Sequence, residues 1–244
     1  MILPSRRDVV LGGLLTFLPV DLCRGQGASG GCWIPEQDTD DFISSHNSGL
    51  DILGGKITAK SGFDHLEVAL NQTLSKLSAM FGVLPSFSFY DEASDPNAKA
   101  MKRDIIANQS DGTVLLGTTL LQDLMKLPAF ADAAIVAVCA HEYGHILSYA
   151  NNTIAQLRPK GATVYRAEQF ADFMSGYYAG VRKTDVPDFP AVMFADSTKR
   201  YGGGEHGTGE QRAEAVVEGF KRGYIAKDKP VAAAQRALDF ALSR

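Results

Sequence analysis

Residues 130–150 read FADAAIVAVCAHEYGHILSYA. Alanine and large apolar side chains occupy nearly every face of the helix that this stretch predicts, so most of that helix must be buried. Its second half carries two histidines four apart, His141 and His145, with Glu142 directly after the first. An i, i+4 pair on an α-helix is separated by about 6 Å along the axis and about 40° around it. The two imidazoles therefore project side by side and can chelate one ion. Glu142 is rotated off their line, where it need not ligate and can act as general base toward a water molecule. A His-Glu-His cluster inside an apolar helix is costly to bury unless it is paired or metal-bound. The composition around the motif thus argues for a metal. Gly144 points the same way, because an interior glycine costs about 1 kcal/mol against alanine and marks close approach by another element.

A catalytic zinc takes three protein ligands and keeps one position open. Cys139, two residues before His141, falls on the wrong side of the helix, and His206 lies in a glycine-rich loop. Glu168 is the better third ligand. It sits in RAEQFAD, residues 166–172, on the next predicted helix, where Glu168 and Asp172 are again i, i+4 and share a face. Asp172 can then hydrogen-bond the other ring nitrogen of a ligand histidine, which fixes its tautomer. Taken alone, the two carboxylates would read as a solvated acidic face. The apolar neighbours Phe170, Ala171, Phe173 and Met174 weaken that alternative.

The 244 residues carry a net charge of −4 with both signs mixed along the chain. No basic stripe marks a nucleic-acid footprint. At the N-terminus, Arg6 and Arg7 precede an apolar run from Val9 to Val20. That run falls short of the roughly 20 residues a bilayer requires and suits an export signal. Residues 5–10, SRRDVV, resemble the twin-arginine signal, with valine in place of the usual Phe or Leu. The chain is accordingly expected to leave the cytoplasm, through twin-arginine machinery, as a periplasmic or secreted protein without an integral membrane segment. Cys23 is expected to leave with the signal. Cys32 and Cys139 can pair in an oxidising compartment, but a buried free thiol suits the apolar helix around Cys139 better.

Residues 1–30 are read as signal and lead-in, 31–61 as an irregular segment, and 62–244 as one domain. Within it, SGFD (61–64) predicts a capping box opening a helix whose stripe is Phe63, Leu66, Leu70, Leu74, Leu77 and Phe81. His65 beside that stripe has no ligand-like partner. PSFSFY (85–90) and TVLL (113–116) predict strands, with 97–106 pairing the second as an edge hairpin. Thr118 or Thr119 is expected to cap a short helix ending at Pro128. Further helices are predicted over 163–181, 208–220 and from Pro230 onward, the last with Val231, Leu238 and Leu242 as its apolar face. The fold class is α+β, several helices with a small sheet.

HExxH followed on a later helix by E-x-x-A-D resembles the gluzincin metallopeptidases, in particular the group holding CAAX-type prenyl-protein proteases and heat-shock membrane proteases. Residues 171–180 and the stretch HGTGEQR, 206–212, are similar to proteins grouped as neutral zinc metallopeptidases. The resemblance spans about residues 85–220. It implies a zincin-like fold whose edge strand lines the active-site cleft, one Zn2+ on His141, His145 and Glu168, Glu142 as catalytic base, and Asp172 behind a ligand. Asn97 and Ala98 resemble the start of the strand that holds substrate in that clan. Unlike the membrane proteases, this sequence has no transmembrane helices. Stabilising the developing oxyanion needs a further donor; His206, Tyr201 and Arg212 lie in a segment that can fold over the site, and His206 is the preferred catalytic choice. The expected activity is hydrolysis of peptide bonds in a peptide or protein substrate. The alternatives are an exported zinc-binding protein without protease activity, adaptor- or chaperone-like, and an amidase acting on cell-wall peptides.

Overall fold

The computed structural model describes residues 33–34, 51–52, 55–58, 60–92, 96–106, 110–200 and 203–244. The segment expected to be an export signal, Cys23, Cys32 and Tyr201 lie outside the described residues.

Strand β4 (Ser86–Tyr90) and strand β6 (Thr113–Gly117) are the centre of the sheet and run parallel, in register from Ser86 opposite Thr113 to Tyr90 opposite Gly117. The chain between them makes a hairpin excursion, so that β5 (Ala98–Met101) returns antiparallel against the outer side of β6. With β1 (Trp33–Ile34), β2 (Asp51–Ile52) and β3 (Gly55–Thr58), the strand order is β1-β5-β6-β4-β3-β2. All five residues of β6 are buried, as an apolar run between two paired neighbours requires. The sequence reading placed β5 at the edge. The structure adds β1 beyond it, but that short ladder engages only Ala100 and Met101 among the described residues, leaving Ala98 beyond its end.

Helices cover one face of the sheet, and a smaller cluster of Tyr90, Met101 and Leu115 covers the other. Helix α1 (Asp64–Phe81) buries Leu70, Leu74, Leu77 and Phe81 along one stripe. At roughly 1.5–3 kcal/mol per buried side chain, that stripe is a large part of what holds α1 down. Its start differs from the capping box expected. Phe63 holds the N-cap position, and Ser61 binds Glu67 instead, through both its amide (2.9 Å) and its hydroxyl (3.0 Å). His65 is exposed.

Helix α2 (Thr118–Met125) also starts differently from the threonine cap expected: neither threonine side chain caps it. The carboxylate of buried Glu92 accepts from the amides of Thr119 (3.0 Å) and Leu120 (2.6 Å), placing an anion on the helix N-terminus. Local sequence carries no sign of a cap supplied from 28 residues upstream.

Helix α3 (Ala131–Ala150) runs through the middle of the protein, with every residue from Cys139 to Tyr149 buried. The four-residue α4 (Ile154–Leu157) leads to α5 (Tyr165–Asp185), buried continuously from Ala167 to Gly180. Then come α6 (Val192–Arg200), which sequence reading missed, a 3₁₀ turn (Gly204–His206) and α7 (Gly209–Lys221). Thr208 and Gln211 form a reciprocal capping box at the start of α7. A π-helical turn (Arg222–Ala226) links α7 to α8 (Pro230–Leu242). The buried face of α8 is Ala233, Ala237, Leu238 and Ala241, whereas Val231 and Leu242 are exposed, contrary to the sequence reading. Small side chains there let α8 pack close, so alanine rather than the larger residues marks the contact.

Helices α5 and α7 approach even more closely. A β-carbon at Gly176 would overlap the carbonyl oxygen of Val216, and one at Gly219 would overlap that of Phe173. This approach carries residues of α7 into the same interior as α3 and α5. No helix among the described residues is long and apolar enough to cross a membrane.

Candidate metal centre

The histidines of α3 meet the carboxylates of α5 in the interior of the protein. Nε2 of His141 and Nε2 of His145 lie 3.1 Å apart, with the rings at 87° to each other. The Glu168 carboxylate completes the group, Oε2 at 3.3 Å from His141 Nε2 and Oε1 at 3.4 Å from His145 Nε2. One donor atom from each residue lies within 4.8 Å of the other two, and all three residues are buried. Glu168 and Asp172 are wholly enclosed, so neither belongs to a solvated acidic face.

His141 Nδ1–H donates to Asp172 Oδ1 at 2.8 Å, which turns its Nε2 lone pair toward His145. The Glu168 oxygens are ringed at 3.2–3.4 Å by His141, His145, His206 and Arg212, whereas Glu142 Oε2 has no hydrogen-bond partner among the described residues. An unpartnered buried carboxylate oxygen such as that of Glu142 is costly. Around the donor group, the buried carboxyl groups of Glu142, Glu168 and Asp172 face one buried arginine among the described residues, Arg212. Two imidazoles and a carboxylate around an excess of negative charge can hold a divalent ion, and the donor set N, N, O suits one of borderline hardness.

Protonation follows the same logic. Burial holds His145 below the ordinary histidine value, leaving a neutral ring with a lone pair to give. Burial alone would raise Glu168, but the imidazoles of His141, His145 and His206 around it bring it well below the usual carboxylate range. Asp172 is likewise held down against its burial, chiefly by Arg212 and then His141. Glu142 goes the other way: desolvation pushes it up to about 8, with His141 pulling in the opposite direction.

Arg212 makes a contact that the sequence reading did not name. Grouped there among candidates for the developing oxyanion, it is buried, borders the cleft beside His141 and Glu142, and clamps the α5 carboxylates. Its Nε donates to Asp172 Oδ2 (2.8 Å), one terminal nitrogen donates to Asp172 Oδ1 (3.0 Å), and the same nitrogen lies 3.2 Å from Glu168 Oε2. A paired fork of this kind fixes the carboxylate plane behind His141. The sign available in the sequence was its setting: Arg212 is followed by Ala213, Ala215 and Val216 on the buried face of α7.

His206 stands on the 3₁₀ turn, half-buried, with Nδ1 3.3 Å from Glu168 Oε2. It is brought to Glu168 and is not among the residues lining the neighbouring cleft. That cleft is lined by Asn97 and Ala98 on the sheet side, by Leu120, Ala137 and Val138, and by Ser197, Thr198 and Arg212 opposite. His141 and Glu142 open onto it, and its free volume is about 40 Å³. Asn97 and Ala98 thus border the same cleft as Glu142. Cys139 is a buried free thiol and is not part of the donor group.

No family model, no curated protein and no solved structure matches this chain.

Proposed function

We propose that the chain is a zinc-dependent peptidase of zincin-like architecture, with His141, His145 and Glu168 as ligands and Glu142 as general base. The observation that carries this reading is the convergence of three donor atoms within 4.8 Å beside a buried glutamate whose Oε2 has no partner among the described residues. A zinc ion held there supplies Lewis acidity for a polarised carbonyl and an acidified water. Glu142 borders the cleft and accepts the proton of the attacking water, then passes it to the leaving amine. A divalent cation on His141, His145 and Glu168 would favour the ionised form of the nearby Glu142 carboxylate. Asp172 holds His141 in the tautomer that presents Nε2, and Arg212 holds Asp172. Asn97 and Ala98, at the start of β5, border the cleft along which an extended substrate would lie. To meet the developing oxyanion, His206 would turn from Glu168 toward the cleft. Alanine in its place should cut turnover far more than metal content, and unchanged turnover removes that role. Residues 5–20 support export, and the substrate is accordingly placed outside the cytoplasm.

The test is a pair of measurements on wild type and Glu142→Gln. Both should bind one equivalent of zinc, and only the wild type should cleave a broad peptide library. A zinc-loaded wild type that cleaves nothing refutes the peptidase reading. The zinc-binding protein without protease activity then stands, and the small free volume of the cleft, about 40 Å³, favours that second reading. Products from cell-wall peptides alone would identify an amidase.

A further inference from the structure

The cleft beside the donor group is bounded mostly by short side chains. Ala137 lies one helical turn before His141 on the same face of α3, and Val138 lies beside it. Ala98 of β5, Leu120 of α2, and Ser197 and Thr198 of α6 continue the lining. All of these but Val138 are buried, so the lining belongs to the packed interior. The free volume is about 40 Å³, against roughly 300–1,000 Å³ for an ordinary small-ligand site. A single water takes up about 30 Å³ of the liquid, so the space suits a side chain of about one or two non-hydrogen atoms. If the chain cleaves peptides, this narrowness decides which.

Hydrogen bonds and close contacts hold these walls in place. The Asn97 carbonyl accepts from the Gly117 amide at 3.0 Å, and Asn97 Oδ1 accepts from the Ala98 amide at 2.9 Å. Glu92 grips the Leu120 amide at the start of α2. The Ser175 hydroxyl of α5 donates to the Ala137 carbonyl at 3.2 Å. On α6, the Thr198 hydroxyl donates to the Phe194 carbonyl at 2.8 Å, which ties that side chain to its own helix. A β-carbon at Gly209 would stand 2.6 Å from the Lys199 carbonyl oxygen, so the end of α6 rests on the start of α7. Widening the cleft therefore requires packed elements to move, and packed interiors resist that.

We propose that this cleft takes the residue next to the scissile carbonyl and admits only glycine or alanine there. The inference rests on the peptidase reading and names its substrate class, peptides with a small residue beside the bond that is cut. His141 and Glu142 open onto the same cleft as Ala137 and Val138, so the residue attached to a carbonyl at the metal is the one that meets these walls. Valine, leucine and phenylalanine exceed the space. Each methylene beyond it should lower affinity by roughly tenfold or more.

The test is a calorimetric titration of the zinc-loaded full chain with the hydroxamates of glycine, alanine, valine, leucine and phenylalanine. All five share one metal-binding group, so differences between them read the side chain, and no turnover is needed. Glycine and alanine hydroxamates should bind most tightly, with a loss of roughly tenfold or more at valine and a further loss at leucine. Val138→Ala should recover roughly tenfold for the valine compound relative to glycine. Ala137→Val should weaken the alanine compound by roughly tenfold or more while sparing glycine. Circular dichroism and zinc content should match wild type in both variants. Binding of the leucine and phenylalanine compounds as tight as that of glycine overturns the proposal, as does a ranking that neither variant changes, or no binding at all. Cleavage of a peptide library without this ranking overturns this inference alone, whereas the ranking without any cleavage supports the selection and refutes the peptidase reading.

Discussion

Gly144 on α3 lies against Ala171 on α5 so closely that a β-carbon on the glycine would stand 2.8 Å from the Ala171 Cα. The contact falls between His141 and His145 on one helix and between Glu168 and Asp172 on the other. It sets how near the imidazoles come to the carboxylates. Gly144→Ala should force the helices apart at the level of the donor group, at a cost of about 1–3 kcal/mol in stability. Zinc affinity should fall with it, because ligand distances tolerate only a few tenths of an ångström. Urea unfolding and a competitive zinc titration measure the two effects. An alanine variant with wild-type affinity would show that the contact does not position the site.

Arg212 is the permanent cation paired with two buried carboxylates, Asp172 and Glu168. Arg212→Met keeps much of the side-chain volume and leaves that charge uncompensated. Removing one partner of a buried pair costs about 3–5 kcal/mol. The loss should appear as a lower urea midpoint in metal-free protein and be smaller when zinc is bound. Arg212→Lys should recover part of the stability but not the two-nitrogen grip on Asp172.

Asp172→Asn removes the charge that orients His141 through the 2.8 Å bond from Nδ1–H while keeping the shape. Zinc affinity should drop by about 10–100-fold. If binding is unchanged, His141 is oriented by its packing alone.

Chelation should destabilise the protein. At free zinc of 100 times its dissociation constant, removal should cost about 2.7 kcal/mol, measurable as a fall in the thermal midpoint on adding a chelator. Acidification should act in the same direction, because protons compete for the imidazoles. His145 is held below the ordinary histidine value and Glu168 below the usual carboxylate range, so both favour the unprotonated, ligating form. For such depressed groups the stability they contribute is present above their unfolded values and lost as pH falls through the folded ones. Zinc affinity should therefore hold near neutrality and decline as the medium becomes acidic. An affinity that rises on acidification would contradict the ligand assignment.

Burial pushes the Cys139 thiol up to about 12. Cys139 should resist alkylation in the native protein at mildly alkaline pH and react promptly once unfolded, as peptide mass spectrometry can follow. Rapid native labelling would mean that α3 opens locally.

The sequence by itself determined the elements with local causes. The alanine-rich apolar run around His141 and His145 demanded a buried helix, and its i, i+4 spacing aligned the two imidazoles. Glu168 and Asp172 were legible as a second pair for the same reason, since helical periodicity is a property of neighbours in the chain. Alternation marked β4, and the helix expected over 208–220 is α7. Contacts between distant residues left no such sign. Glu92 caps α2 from 28 residues upstream, and Arg212 reaches Asp172 across 40. Gly144 announced a close approach without naming Ala171 as what approaches. Tertiary structure decided these because each depends on the distance between two helices, which is set by packing over the whole interior. The narrowness of the cleft belongs to the same class.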